Sequence, residues 1–263
     1  MNRRLGFLEA VGASTEGALE EVGGLAVLLG ESLGFLLQCR LRLGETFAQA
    51  YFLGVGSWSI VILTSLFTGM VFSLESAVQA VQYGVGSLVG GAVAFTSARE
   101  LGPMLSGVVV AGRASAAIAA ELGSMVVTEQ IEALDALGIS PVRMVVLPRI
   151  VALVVMLPLL TILGDVVSIA GGMWLAKQIA HIGYASFLQS ARSSVHMSDF
   201  LLGLVKAAVF GIIIALVGAY QGLRTKGGAA GVGQSTTRAV VSSIILIFVA
   251  NFVLSYLLFG YHR

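Results

Sequence analysis

Charge is what this 263-residue chain has least of: 15 Lys and Arg and 14 Asp and Glu make up 11% of it, against about 25% in soluble domains. With 57% of its residues hydrophobic and a further 33 glycine, a water-soluble globule is excluded, because too little polar surface remains to cover the apolar bulk. A net charge of +1 and the lack of any basic run exclude a nucleic-acid partner. The single cysteine, Cys39, forbids an internal disulfide. His181, His196 and His262 stand too far apart for a metal site. A phosphate-cradling loop of the form G-x-x-x-x-G-K-[ST] is missing, since neither GKS nor GKT occurs. The glycine-rich GGAAGVGQSTTR from Gly227 has no lysine after its glycines and reads as a flexible connector. No Ser-His-Asp or paired-carboxylate spacing stands out, so intrinsic enzyme activity, a bound cofactor and a bound metal are not expected.

What the chain does contain is long stretches nearly free of charge. A helix that crosses a bilayer needs about 20 mainly apolar residues, and five segments meet that requirement. Residues 46–74 and 239–260 carry no charge; 76–112 is interrupted only by Arg99 and Glu100, 144–176 by Arg149 and Asp165, and 200–223 by Lys206. The first 45 residues differ, because Glu9, Glu16, Glu20, Glu21, Glu31 and Glu45 break every apolar run. They read as an amphipathic helix in the headgroup layer, and Glu9 also cuts short any secretory-signal core. The expected fold is an all-α integral membrane protein forming one domain over residues 1–263, with an interfacial segment 1–45 and a transmembrane region 46–263.

Ten Lys and Arg fall on the N-terminal side of the spans (Arg3, Arg4, Arg40, Arg42, Arg113, Arg143, Arg149, Arg224, Lys226, Arg238) and three on the other (Lys177, Arg192, Arg263). The positive-inside rule then places the N-terminus in the cytoplasm and the C-terminus outside. In the loop after the second span, TEQIEALDALGISP reads as a short helix ended by Gly138, Ser140 and Pro141. Val127, Ile131, Leu134 and Leu137 share one of its faces, and Glu129, Glu132 and Asp135 the other. Glu129, near the N-terminus, favours the helix dipole, which accounts for part of this charge; the sharper reading is that the acids form the polar side of a helix that couples to a cytoplasmic partner. Arg99, Glu100 and Lys206 are costly in a membrane, about 2.5–3.5 kcal/mol each on insertion scales. They form either a lock between helices or a polar spot on a transport path. Pro103 removes the hydrogen bond to the Arg99 carbonyl and predicts a kink beside that pair. Asp165, near the outer end of its span, is expected to reach water.

The run ARELGPMLSGVVVAGRASAAIAAELGSMVVTEQIEALDALGISPVRMVVLPRIVA, residues 98–152, closely resembles the MlaE (YrbE) family of ABC-transporter permeases, as do LVKAAVFG from Leu204 and GVGQSTTRAVV from Gly231. The resemblance implies a homodimeric permease with an N-terminal interfacial helix, five transmembrane helices and a cytoplasmic coupling helix between the second and third spans. It implies a bacterial inner-membrane location with a periplasmic C-terminus. Its partners are then a cytoplasmic ABC ATPase that uses ATP and Mg, a periplasmic-side MCE-domain protein and, in many Gram-negative systems, a STAS-domain protein. The substrate is phospholipid, moved between inner and outer membranes to maintain outer-membrane lipid asymmetry. By this resemblance Arg99, Glu100 and Leu101 contact lipid in a central cavity, Lys206 is the other charged cavity residue, and Tyr83 lines the same cavity. Thr128, Glu129, Gln130, Glu132 and Asp135 fall on the coupling helix. The alternative, a channel or secondary carrier independent of ATP, predicts an internal repeat with matching broken helices, and five unequal spans show none.

Overall fold

The computed structural model describes residues 2–38 and 42–259. Cys39, Arg40, His262 and Arg263 lie outside the described residues. Helices linked by short turns account for the rest, and no strand occurs among the described residues. Five helical stretches are long and apolar enough to cross a membrane: Leu43–Gln82, Gly86–Val127, Val142–Ala180, Met197–Leu223 and Gly228–Leu258, termed the first to fifth spans. This agrees with the all-α, five-span expectation.

The spans are longer than the charge-free windows. At 1.5 Å per residue, 42 residues extend about 60 Å, twice a hydrocarbon thickness of about 30 Å. Arg113, Arg143 and Arg238, which fall outside those windows, therefore sit within the spans. Apolar periodicity marks where hydrocarbon contact ends, whereas the helix continues as long as Ala-rich sequence and internal ion pairs support it. The expected glycine-rich connector is corrected in the same way. Only Gly227 and Gly228 take left-handed φ values, +89° and +67°, and from Gly228 the stretch is already the start of the fifth span.

Four π turns widen the first three spans, at Ala50–Gly54, Ser97–Leu101, Ala111–Ser115 and Val142–Val146. The kink expected from Pro103 takes this form, since Ser97–Leu101 comes immediately before Gly102-Pro103. Two buried clusters hold the bundle. The larger joins Val110, Ile118 and Leu122 of the second span to Leu153, Leu157, Phe210 and Ile214. The smaller, near the opposite end, joins Val89 and Val93 to Ala176, Ile182 and Phe187. Phe187 belongs to a further helix, Tyr184–Ser194, in the segment between the third and fourth spans. Its sequence signal is the apolar spacing Tyr184, Phe187, Leu188, Ala191, hidden by the polar residues between. Gly90 makes room for this helix, because a Cβ there would run into the Phe187 carbonyl, and the Gly91 N–H donates to Ser190 Oγ at 3.0 Å.

The N-terminal helix Asn2–Leu37 lies across the end of the bundle formed by the start of the third span and the close of the fourth. It buries Leu28 and Ser32, while Glu20 pairs with Arg224 at 2.6 Å and Glu21 accepts from Gln221 at 2.8 Å. Leu19, Val22, Val27 and Leu33 stay exposed, as suits a helix with an apolar face free for lipid. Small residues set the helix spacing elsewhere: a Cβ on Gly203 would collide with the Ala98 carbonyl, and one on Gly69 with the Ser168 carbonyl. Gly203→Ala is accordingly expected to lower stability by about 1–3 kcal/mol, the usual effect of overpacking. Gly112→Ala, with no atom within 4 Å of the new methyl, leaves it unchanged. Thermal unfolding of the two purified variants in detergent checks the contrast.

Candidate functional site

Glu100 and Arg99 occupy the π turn Ser97–Leu101 of the second span. Two residues beyond that turn, Pro103 brings no N–H, so the Arg99 carbonyl loses its helical donor. Lys206 of the fourth span supplies one: its Nζ donates to that carbonyl at 3.4 Å. The same Nζ donates to Glu100 Oε1 and to Ser255 Oγ, each at 2.8 Å. Three acceptors thus match the three N–H bonds of an ammonium, and the Lys206 side chain is 0% exposed. Ser255 Oγ in turn donates to Glu100, 3.1 Å from Oε1 and 3.2 Å from Oε2, and Asn251 Nδ2 donates to Oε2 at 3.3 Å. Glu100 itself keeps 34% of its side chain exposed, so the cluster has one open side.

Arg99 faces the other way along the turn. Its guanidinium lies 3.7 Å from Asp199 Oδ1 and stacks over the Phe95 ring at 5.2 Å. Asp199 also accepts from the backbone N–H of His196 at 3.4 Å, which fastens the first turn of the fourth span. Leu101 is half-buried beside the pair. Tyr83 does not join this cluster: it follows the last residue of the first span and is 81% exposed, where the chain turns at Gly84 with φ +73°.

Asn251 and Ser255 are the members that reading the sequence missed. The fifth span looked featureless because neither residue is charged. Their spacing of four residues, which puts both on one helix face, was the available signal. Arg113 has a different task from its neighbours, donating to the Phe52 carbonyl at 2.9 Å and to Ser57 Oγ at 3.0 Å, and so tying the π turn Ala111–Ser115 to the one at Ala50–Gly54. Arg149, 4% exposed, pairs with Glu121 at 2.7 Å. Asp165 is corrected outright: instead of reaching water it is 4% exposed, with both carboxylate oxygens buried and without a hydrogen-bond partner. Distance from a span's end misleads here, because neighbouring helices and not lipid depth decide exposure.

In the loop between the second and third spans the helix runs Gln130–Ala136, shorter than the sequence suggests. Thr128 closes the preceding span, and Glu129 takes a left-handed φ of +58°, so Glu129 precedes the helix and does not lie in its first turn. Thr128, Glu129, Gln130, Glu132 and Asp135 are all exposed. Ile131 and Leu134 turn inward, beside an apolar hollow of about 300 Å³ lined by Met125, Leu134, Leu137, Met144 and Val145. Among the described residues no group of three or more His, Cys, Asp or Glu comes together.

Residues 46–257, the whole region that carries these features, match the family described as Permease MlaE. The chain belongs to the MlaE permease family. It is 42% identical over 232 residues to a probable ABC transporter permease protein of Synechocystis sp., covering 88% of each chain. To a probable ABC transporter permease protein of Rickettsia typhi it is 35% identical over 255 residues, 97% of this chain and 98% of the relative. The Arabidopsis thaliana protein named TRIGALACTOSYLDIACYLGLYCEROL 1, chloroplastic, is 36% identical over 229 residues, 87% of this chain and 65% of that protein. This MlaE permease is therefore a multi-pass membrane protein of the ABC-transporter permease type, a transport subunit whose charged cluster is assembled from its second, fourth and fifth spans. Removing one partner of a buried pair leaves an uncompensated charge, at a cost of about 3–5 kcal/mol. Glu100→Leu is expected to show that loss in thermal unfolding, and Glu100→Leu with Lys206→Met to recover most of it. Losses that simply add would refute the pairing.

Proposed function

We propose that this chain is the permease subunit of an ATP-driven phospholipid transporter, moving lipid between the inner and outer membranes of a bacterium and maintaining outer-membrane lipid asymmetry. The observation that carries this reading is the Glu100–Lys206–Ser255 cluster: one partly open polar station in an apolar bundle. A phospholipid needs just that combination. Its headgroup requires a few charged and hydroxyl partners, and its acyl chains require an apolar wall worth about 0.8 kcal/mol per buried CH₂. Arg99, Glu100, Leu101 and Lys206 take the headgroup end in this scheme, with Asn251 and Ser255 added to them, and Tyr83 meets lipid only at the mouth. The name of the Arabidopsis relative, which contains a glycolipid's name, supports a lipid cargo.

The working unit in this proposal is a homodimer. Within one chain little of the fifth span is buried, and Val241, Ile245, Phe248, Phe252 and Tyr256 stay exposed along it. A second copy laid on that face, about a two-fold axis, would enclose the open side of Glu100. The whole chain acts as one permease domain in the inner membrane, N-terminus cytoplasmic and C-terminus periplasmic, in line with its excess of Lys and Arg at the end bearing the N-terminal helix. It binds no cofactor of its own. A cytoplasmic ABC ATPase uses ATP and Mg, an MCE-domain protein receives or delivers lipid on the periplasmic side, and a STAS-domain protein accompanies the ATPase. Thr128, Glu129, Gln130, Glu132 and Asp135 present the coupling surface, with the neighbouring apolar hollow as the socket.

Two measurements test this. Photo-crosslinking groups at Leu101 and Met104 are expected to capture phospholipid in the assembled complex well above a group at Leu63, exposed on the first span. Capture of water-soluble solutes alone would favour the channel or carrier. Charge reversal by Glu129→Lys with Glu132→Lys is expected to reduce co-purification of the ATPase severalfold while the permease stays inserted and dimeric. Undiminished recovery and ATPase activity would count against the coupling surface.

A further inference from the structure

Glu100 is not the only acid inside the spans. Asp165 sits where the first, second and third spans meet in a seam of small residues: Ser65, Gly69 and Ser73 on the first, Ser97, Gly102 and Ser106 on the second, Gly164, Ser168 and Gly172 on the third. The seam is tight. A Cβ on Gly102 would run into Asp165 Oδ1 and would lie 2.9 Å from the Ser97 carbonyl, so the carboxyl is pressed onto bare backbone beside the π turn that holds Glu100.

Both Asp165 oxygens and Ser106 Oγ are buried without a hydrogen-bond partner. The other ionisable groups on the surrounding elements are engaged or exposed, apart from Arg143, half-buried at the start of the third span and twenty-two residues from Asp165. Arg99 lies with Asp199, Glu100 with Lys206, Glu121 with Arg149, and Arg113 with Phe52 and Ser57. Glu45, Glu75 and Arg192 are exposed, and Lys177 stacks over Tyr184. An unpaired carboxylate in such surroundings is among the least favourable arrangements in a protein, and it is relieved by neutralising the group.

We propose that Asp165 is a proton-binding site, carried as the neutral acid while the seam between the first three spans is closed. A metal cation would need several oxygens turned toward it, but Ser73 Oγ donates to the Gly172 carbonyl at 2.8 Å and Ser97 Oγ shares a hydrogen bond with Ser168 Oγ at 3.1 Å. A proton needs no such cage. A carbonyl acceptor borders the same face of Gly102, that of Ser97, whose second lone pair is left after the Gly102 N–H has taken the first. When the seam parts and water enters, the O–H bond breaks, the proton passes to water and the carboxylate is solvated. Closing the seam takes the proton up again, so the closed form weakens as pH rises, by up to about tenfold in its equilibrium constant per pH unit. The proposal stands independently of the cargo.

Infrared spectroscopy of the full chain in lipid nanodiscs, with aspartate carrying ¹³C in its carboxyl, tests it. Only Asp135, Asp165 and Asp199 contribute, and Asp135 is exposed while Asp199 is paired with Arg99. At pH 7 a protonated-carboxyl C=O band is expected that shifts with ¹³C and in D₂O and is lost in Asp165→Asn. Thermal unfolding between pH 6 and pH 9 is expected to weaken more in the wild type than in that variant. No protonated-aspartate band at pH 7, a band that survives Asp165→Asn, or a band removed by adding NaCl in place of choline chloride would overturn the proposal. Should Asp165→Asn fail to fold, the isotope-edited wild-type spectrum decides by itself.

Discussion

An ammonium ion shut away from water must find its donors' partners inside the protein, and Lys206 sets the terms on which the second, fourth and fifth spans can meet. Three acceptors among the described residues come from three different features: a carbonyl freed by Pro103, a carboxylate held on a π turn and a hydroxyl on the last helix. Pro103 leaves the Arg99 carbonyl without its helical donor, and the π turn Ser97–Leu101 sets the face on which Glu100 projects, so both acceptors on the second span come from its departures from a regular helix.

Close backbone contact makes that meeting possible. Gly203 rides on the Ala98 carbonyl and Gly211 on that of Leu153, which brings the fourth span near enough for one lysine side chain to reach across. Where helices approach this closely, side-chain volume cannot drive association, and dispersion contacts together with hydroxyl-to-carbonyl hydrogen bonds such as Ser73 to Gly172 take over. The larger side chains are relegated to the two buried clusters toward the ends and to the outer faces.

The architecture was largely legible from sequence because hydrocarbon imposes a length and an apolar composition that few other constraints mimic. The five spans follow from where charge is absent, and the family follows from the Glu100–Pro103, Ala111–Arg113 and Thr128–Leu134 elements. Arg99, Glu100 and Lys206 could be singled out as costly, yet their partners could not be paired off. Asp199 sits at a helix start where an acid is commonplace, and Asn251 and Ser255 carry no charge to draw attention. Asp165 and Arg113 show the opposite failure, because one-dimensional position says nothing about which neighbouring helix covers a side chain. The helix Tyr184–Ser194 was lost among polar residues, although its one buried face rests on Phe187 and Ser190.

Only Arg224 to Gly227 separate the fourth span from the fifth, and Gly227 and Gly228, both with left-handed φ, let the chain reverse in so few residues. So short a connection leaves little freedom for the two helices to slide past one another, and it thereby selects which residue of the fifth span comes level with Lys206: Ser255. Glu20 of the N-terminal helix pairs with Arg224 of the same turn at 2.6 Å. The alignment of a buried ammonium with its hydroxyl partner and the seating of a surface helix thus share one four-residue connection.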